Sequence, residues 1–216
     1  IPGASSTADN GVVIQAEVAS TSINAKTSLT VNGKALFITL AFGNTIGSVD
    51  ETTYSKMFSV YVTDANGVAV GNQLISLSVI PTEYRKGTLS RKCTTTSVTN
   101  SDGLPTSINT CDGPWNPPST PTLCANEDLN LNGILDASED TDGNKQLTPG
   151  NIAVAAPGNL VTDTFGRASF AVQYGEQFAP WVKVAITARA SVAGTESRQT
   201  ILYDLVGSVS DFTAET

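Results

Sequence analysis

Alternation of apolar and polar residues with a period of two runs through most of this chain and constrains its fold more than any other feature. Leu36-Ile38-Leu40, Phe58-Val60-Val62, Leu74-Ile75-Leu77-Val79, Phe170-Val172 and Val182-Val184-Ile186 alternate or cluster with Thr, Ser and Tyr. Side chains of a strand point to opposite faces in turn, so each run offers one apolar face to a core. Gly, Asn, Asp and Pro separate the runs at strand-like intervals, and no amphipathic helix of any length is apparent. Asn66-Gly67 stands between two such runs, where a tight hairpin or strand connection needs positive φ. Many short antiparallel strands joined in this way predict a β-sandwich. With 216 residues the chain is long enough to bury a core without relying on metals or disulfides.

The chemistry left to such a chain is narrow. Lys and Arg total 12 against 20 Asp and Glu, a net charge of −8, and no basic tract answers to a phosphate backbone, so nucleic acid is not an expected partner. There is no histidine, which closes imidazole bases, His-bearing triads and His-ligated zinc. The longest apolar stretch, Ala35 to Phe42, is far below the roughly 20 residues of a membrane helix, so no membrane span is expected. The chain opens Ile-Pro-Gly with no initiator Met and no secretion signal, and reads as a piece of something longer. Cys93, Cys111 and Cys124 suit one local disulfide and one odd thiol in an oxidising compartment, and the spacing leaves all three pairings open.

Between Ile80 and Asn151 the alternation lapses, and this stretch holds most of the prolines, all three cysteines and a dense acidic cluster. It reads as an insertion, residues 81–151. A structureless loop of about 70 residues would be improbable in a compact domain, so something besides apolar burial is expected to hold it. There is also an internal echo at an offset of 172 residues. Val12-x-Ile14-x-Ala16 with Leu29 aligns on Val184-x-Ile186-x-Ala188 with Ile201. This suggests a tandem array in which residues 1–34 are the last strands of a preceding unit, or else leading strands of the same domain. Residues 35–206 would then form one unit and 207–216 a linker to the next.

The sharpest motif begins at Asp128. Taken as position 1 of a twelve-residue loop, oxygen-bearing side chains fall at Asp128, Asn130, Asn132 and Asp136, Gly133 takes position 6 and Glu139 position 12. A hard cation such as calcium needs six to eight oxygens at about 2.3–2.6 Å, and a tightly curled backbone aims alternate residues inward. Position 6 turns where Gly is unstrained. Ile134 would lend its carbonyl, Glu139 could bind bidentately, and Leu135 would pack toward the protein. The alternative is a solvated Asn/Asp-rich turn without metal. Against it stands the repulsion among Asp128, Asp136, Glu139 and Asp140, which a divalent ion relieves.

Twelve residues on, Asp140, Asp142, Asn144 and Gln146 repeat the order in worn form. Lys145 replaces the position-6 Gly, and Thr148 and Asn151 stand where Asp136 and Glu139 stood. These residues form a candidate second calcium site, or lend oxygens to the first. Tyr84, Trp115 and Trp181 are a weaker candidate for a sugar-stacking platform, since isolated aromatics in a sandwich usually serve packing.

The stretch from Phe58 through Val62-Thr63-Asp64-Ala65-Asn66-Gly67 to Val70 resembles a known family. With Thr162-Asp163-Thr164-Phe165-Gly166-Arg167-Ala168 and Val182 to Ala188, it is similar to the bacterial Ig-like group 1 (invasin/intimin-type) domain. The resemblance covers roughly residues 35–80 and 158–206. The insertion, with Tyr84 to Gly87, Trp115 and Cys124 to Asn151, is similar to an elaborated form found in large bacterial surface proteins. The resemblance implies an all-β, immunoglobulin-like antiparallel β-sandwich carrying a long, loop-rich, calcium-binding insertion. It also implies export to the bacterial cell surface, neighbouring repeats as partners, and no catalysis.

The functional expectation is therefore a non-catalytic extracellular repeat of an adhesin-like protein, stabilised by calcium. The alternative is a module binding a glycan or a host protein through the insertion. A carboxylate-based hydrolase is least favoured, because the acidic residues cluster at metal-loop spacing. If residues 10–34 carry unpaired strand edges, a strand-mediated dimer through them is a further expectation.

Overall fold

A computed structural model describes residues 12–20, 22–29, 36–192 and 195–213; the expected segments 1–34, 35–206 and 207–216 fall partly outside them. In chain order the strands are β1 (Val12–Glu17), β2 (Asn24–Leu29), β3 (Phe37–Phe42), β4 (Gly47–Asp50), β5 (Thr53–Thr63) and β6 (Leu74–Lys86). They continue as β7 (Cys93–Thr99), β8 (Pro105–Cys111), β9 (Thr122–Ala125), β10 (Ala153–Ala156), β11 (Asn159–Val161) and β12 (Arg167–Gly175). A 3-10 turn (Glu176–Phe178), β13 (Val182–Val192), β14 (Thr195–Asp204) and the short helix α1 (Val209–Thr213) follow.

Two antiparallel sheets pack face to face as an all-β sandwich. One has the order β10-β12-β5-β3 with β4 also on β5, and the other β11-β6-β13-β14 with β9 also on β6. The reason lies in the alternation. Along β5, Tyr54, Lys56, Phe58, Val60 and Val62 turn inward while Met57, Ser59 and Tyr61 face out. From the other sheet Ile75, Val184, Ile186, Ala188 and Tyr203 meet them in one core. Phe58 sits at its centre, stacked on Phe170 at 5.5 Å and edge-on to Tyr203 at 5.2 Å. Each such side chain taken from water stabilises the fold by about 1.5–3 kcal/mol.

Lys56 breaks the pattern. It holds an inward position and is only 3 % exposed. Its ammonium donates to the Thr45 carbonyl at 3.1 Å and lies 6.0 Å from the Phe42 ring centroid. Burial pushes its pKa down.

Turn chemistry repeats at three strand ends. Asp64 Oδ1 accepts the N–H groups of Asn66 and Val68, Asn100 Oδ1 those of Asp102 and Leu104, and Asp163 Oδ1 those of Phe165 and Arg167. Gly67, Gly103 and Gly166 follow at φ 77°, 76° and 72°. Gly166 is doubly constrained, because a Cβ there would meet the Val62 carbonyl oxygen at 2.5 Å.

The change of pattern at Ile80 does not end a strand. β6 runs on to Lys86, where β9 pairs with it, and the inserted region adds a separate hairpin of β7 and β8. Cys93 and Cys111 face each other across that hairpin and form a disulfide, leaving Cys124 as a free, half-buried thiol.

The two echoing segments are both antiparallel hairpins, with registers that differ by two residues: Ile14 pairs with Thr27, Ile186 with Ile201. Among the described residues β1 and β2 pair only with each other. No described helix is long and apolar enough to cross a membrane.

Candidate metal centre

The acidic loops are seated on the sandwich through Asn126. Its side-chain amide donates to the Pro81 carbonyl at 2.8 Å and its backbone N–H to Thr82, both on β6. Beyond that anchor the chain folds into two successive loops with the same internal bonding, twelve residues apart.

In the first loop Asp128 Oδ2 accepts the Gly133 N–H at 2.9 Å, Asn130 Oδ1 accepts that of Asn132 at 3.0 Å, and Asn132 Oδ1 accepts that of Ile134 at 2.7 Å. In the second, Asp140 Oδ2 accepts the Lys145 N–H at 3.2 Å, Asp142 Oδ1 that of Asn144 at 3.1 Å, and Asn144 Oδ1 that of Gln146 at 2.6 Å. The backbone conformation repeats as well. Leu131 and Gly133 have φ of 60° and 76°, and their counterparts Gly143 and Lys145 have 75° and 62°. Each loop thus has two left-handed positions and one glycine, placed at the second position in the first loop and at the first in the second. Lys145 keeps the turn that the sequence pattern assigned to Gly.

The closing carboxylates complete the duplication. Glu139 accepts the N–H groups of Leu129 and Asn130 on Oε1 and that of Asp136 on Oε2. Glu127 accepts those of Thr141 and Asp142 on Oε1 and that of Thr148 on Oε2, with the Thr141 hydroxyl added at 2.8 Å. Those three donors are each twelve residues on from the donors to Glu139. The second loop is therefore closed by Glu127, which precedes the first, and Asn151 at its twelfth position instead lies against Gly133.

Glu127, Asp128 and Glu139 are 2 %, 5 % and 3 % exposed. Burial pushes the Glu127 carboxyl up, but the Thr141 hydroxyl and the N–H donors of Thr148, Asp142 and Thr141 outweigh it and hold the group below its ordinary value.

Asn130 and Asn132 both donate side-chain N–H to Asp136 Oδ2, at 2.7 and 3.1 Å. Ile134 is exposed and Leu135 half-buried. Among the described residues, one set of three carboxylates brings oxygens within 4.8 Å of one another: Glu127, Asp140 and Asp142. Asp128, Asp136 and Glu139 do not form such a set. Asp140 Oδ1 in the converging trio is buried and has no hydrogen-bond partner. Glu127 escaped the motif count because it stands before position 1. The signal that could have found it is the same twelve-residue offset, which carries Glu127 onto Glu139.

Comparison with family models, with curated proteins and with solved structures returns no match in any of the three. The reading of this centre therefore stands on its own chemistry. Three carboxylates with oxygens within 4.8 Å of one another, one of which also carries a buried oxygen without a hydrogen-bond partner among the described residues, could hold a metal ion, and an all-oxygen, anionic donor set suits a hard cation.

Proposed function

We propose that the insertion is a two-loop calcium module and that the protein is a non-catalytic, extracellular β-sandwich repeat whose insertion is ordered by calcium. The observation that carries the reading is the buried, unpartnered Asp140 Oδ1 in the trio with Glu127 and Asp142. Leaving a buried anionic oxygen unpaired is costly, and a divalent ion would offset that cost together with the mutual repulsion of the three carboxylates. Asp140, Asp142, Asn144, Gln146 and Glu127 would hold the second ion. Asp128, Asn130, Asn132, Ile134, Asp136 and Glu139 would hold the first. Calcium fits better than magnesium because the loops offer many protein oxygens rather than one or two carboxylates with water.

The Cys93–Cys111 disulfide is compatible with an oxidising compartment outside the cytosol. The similarity of residues 35–80 and 158–206 to bacterial Ig-like group 1 domains is the basis for placing the module in a surface or adhesin-like array.

Binding the folded insertion but not the unfolded chain stabilises by RT ln(1 + [Ca]/Kd) for each site, about 1.4 kcal/mol per ion at 1 mM calcium for a Kd near 0.1 mM. Thermal melting in 1 mM calcium against EGTA is expected to show a rise of about 8 °C for two ions. Asp140→Asn should shrink this rise and leave the EGTA midpoint unchanged or higher, because it removes one of the three mutually repelling charges. Identical midpoints in calcium and EGTA would contradict the proposal.

A further inference from the structure

At the pole of the sandwich where β5 begins, four distant segments close around a pocket of about 430 Å³. Tyr54 comes from β5, Trp115 from the inserted region, Glu176 and Trp181 from the connection between β12 and β13, and Asp211 and Phe212 from α1. The Trp115 N–H donates to the Phe212 carbonyl at 2.7 Å, tying the insertion to the C-terminal segment. Aromatic rings thus form the walls, and both charged groups that line the pocket are carboxylates. Among the described residues, no Lys or Arg lines it.

The two carboxylates are not equivalent. Asp211 accepts the Tyr54 hydroxyl and the Ser210 hydroxyl. The half-buried Glu176 side chain has no hydrogen bond or ion pair among the described residues; its backbone alone is bonded, to Thr52 and Ala179. Burial, then the charges of Asp211 and Asp50, push its carboxyl up, and no cation acts in the other direction.

We infer that this pocket binds an alkylammonium group, its apolar stem between the indole and phenyl rings and its N–H donors on Glu176. Two like charges in an aromatic-walled cavity call for a cation, and ring faces attract one through their quadrupoles. Arg91, which does not line the pocket, already stacks on Trp115 with its guanidinium carbon 4.8 Å from the ring centroid. A bare metal ion would leave the apolar walls unused, and a neutral sugar would leave the charge of Glu176 uncompensated. The group could arrive as a free amine or as the lysine side chain of another protein.

Trp115 and Trp181 are the only tryptophans in the chain and both line this pocket, so intrinsic fluorescence responds to its occupancy. The test titrates the whole protein with pentylammonium chloride, with a blocked glycine–lysine–glycine peptide, and with sodium chloride at matched ionic strength. Chitotriose serves as a neutral saccharide. A saturable change with either amine and none with sodium chloride is expected, and the tighter of the two identifies the source. Glu176→Gln, which removes charge without removing any hydrogen bond, should weaken the amine about tenfold at an unchanged melting temperature. Independently of any variant, the methylene protons of pentylammonium should move upfield in NMR spectra through ring currents. No saturable change with either amine, equal affinity in Glu176→Gln, or saturation by chitotriose alone would overturn the inference.

Discussion

Lys145 has a left-handed backbone, φ 62°, at a position where the equivalent residue of the preceding loop is Gly133. An L-residue with a Cβ costs roughly 1–2 kcal/mol in that region, and the bonds that the Lys145 and Gln146 N–H groups donate to Asp140 and Asn144 hold it there. Lys145→Gly should therefore stabilise the insertion by about 1 kcal/mol in denaturant unfolding without calcium, although glycine is the more flexible residue when unfolded. An unchanged or lower midpoint would mean that the second loop does not need this turn. At the same scale, the candidate ligands Asp128, Asn130, Asn132, Asp136 and Glu139 were legible because oxygen-bearing residues at alternate positions announce an inward-curling loop. Glu127 was not legible as a closing residue, because its partners Thr141, Asp142 and Thr148 are brought to it by the turns between them. Lys56 was hidden for the opposite reason. The alternation of β5 places its backbone on the inner face, while residue type alone argues for solvent, and the Thr45 carbonyl with the Phe42 ring decides the matter.

Among the elements, β5, β12 and β13 follow directly from their alternating runs, since one buried face suffices to fix a strand and its register. β7 and β8 do not carry that signal. They are rich in Thr and Ser, almost wholly exposed, and form a hairpin apart from both sandwich sheets. An isolated two-stranded hairpin is marginal in water, so the disulfide at its base is what keeps its ends together. Reduction, or Cys93→Ser with Cys111→Ser, should open the segment between those residues to limited proteolysis while shifting the melting of the sandwich by less than about 1 kcal/mol, because none of its core residues comes from this hairpin. Loss of the whole cooperative transition would show that the hairpin is integral to the sandwich. The extension of β6 to Lys86 also lay beyond the sequence pattern. Its far half is specified by pairing with β9 and β13 rather than by alternation.

For the molecule as a whole, the second sheet is tied across three strands by charge. Lys183 Nζ lies 2.6 Å from Glu83 Oε1, and Arg85 bridges Glu83 at 3.6 Å and Asp204 at 2.7 Å. The Lys183 hydrogen bond, opposed by burial and helped by the charges of Lys183 and Arg85, holds the Glu83 carboxyl below its ordinary value of 4.5. A lowered carboxylate pKa adds stability that is present above the unfolded value and lost as pH falls through the folded one. Stability should therefore decline as pH drops below about 4.5, and Glu83→Gln should flatten that decline by at most about 1 kcal/mol, as befits a partly exposed network. An acid limb identical in wild type and variant would remove Glu83 from the explanation.

The acidic loops are tied to β6 at Asn126, through its bonds to Pro81 and Thr82. Order in the loops should thus reach the sandwich through that strand among others, and the duplicated bonding pattern makes the number of ions the decisive quantity. Calorimetric titration of EDTA-treated protein with calcium measures it directly. A saturable heat with two ions per chain is expected, reduced to one by Asp140→Ala with Asp142→Ala and abolished when Asp128→Ala and Glu139→Ala are added. No saturable heat from a protein that still melts cooperatively would contradict it.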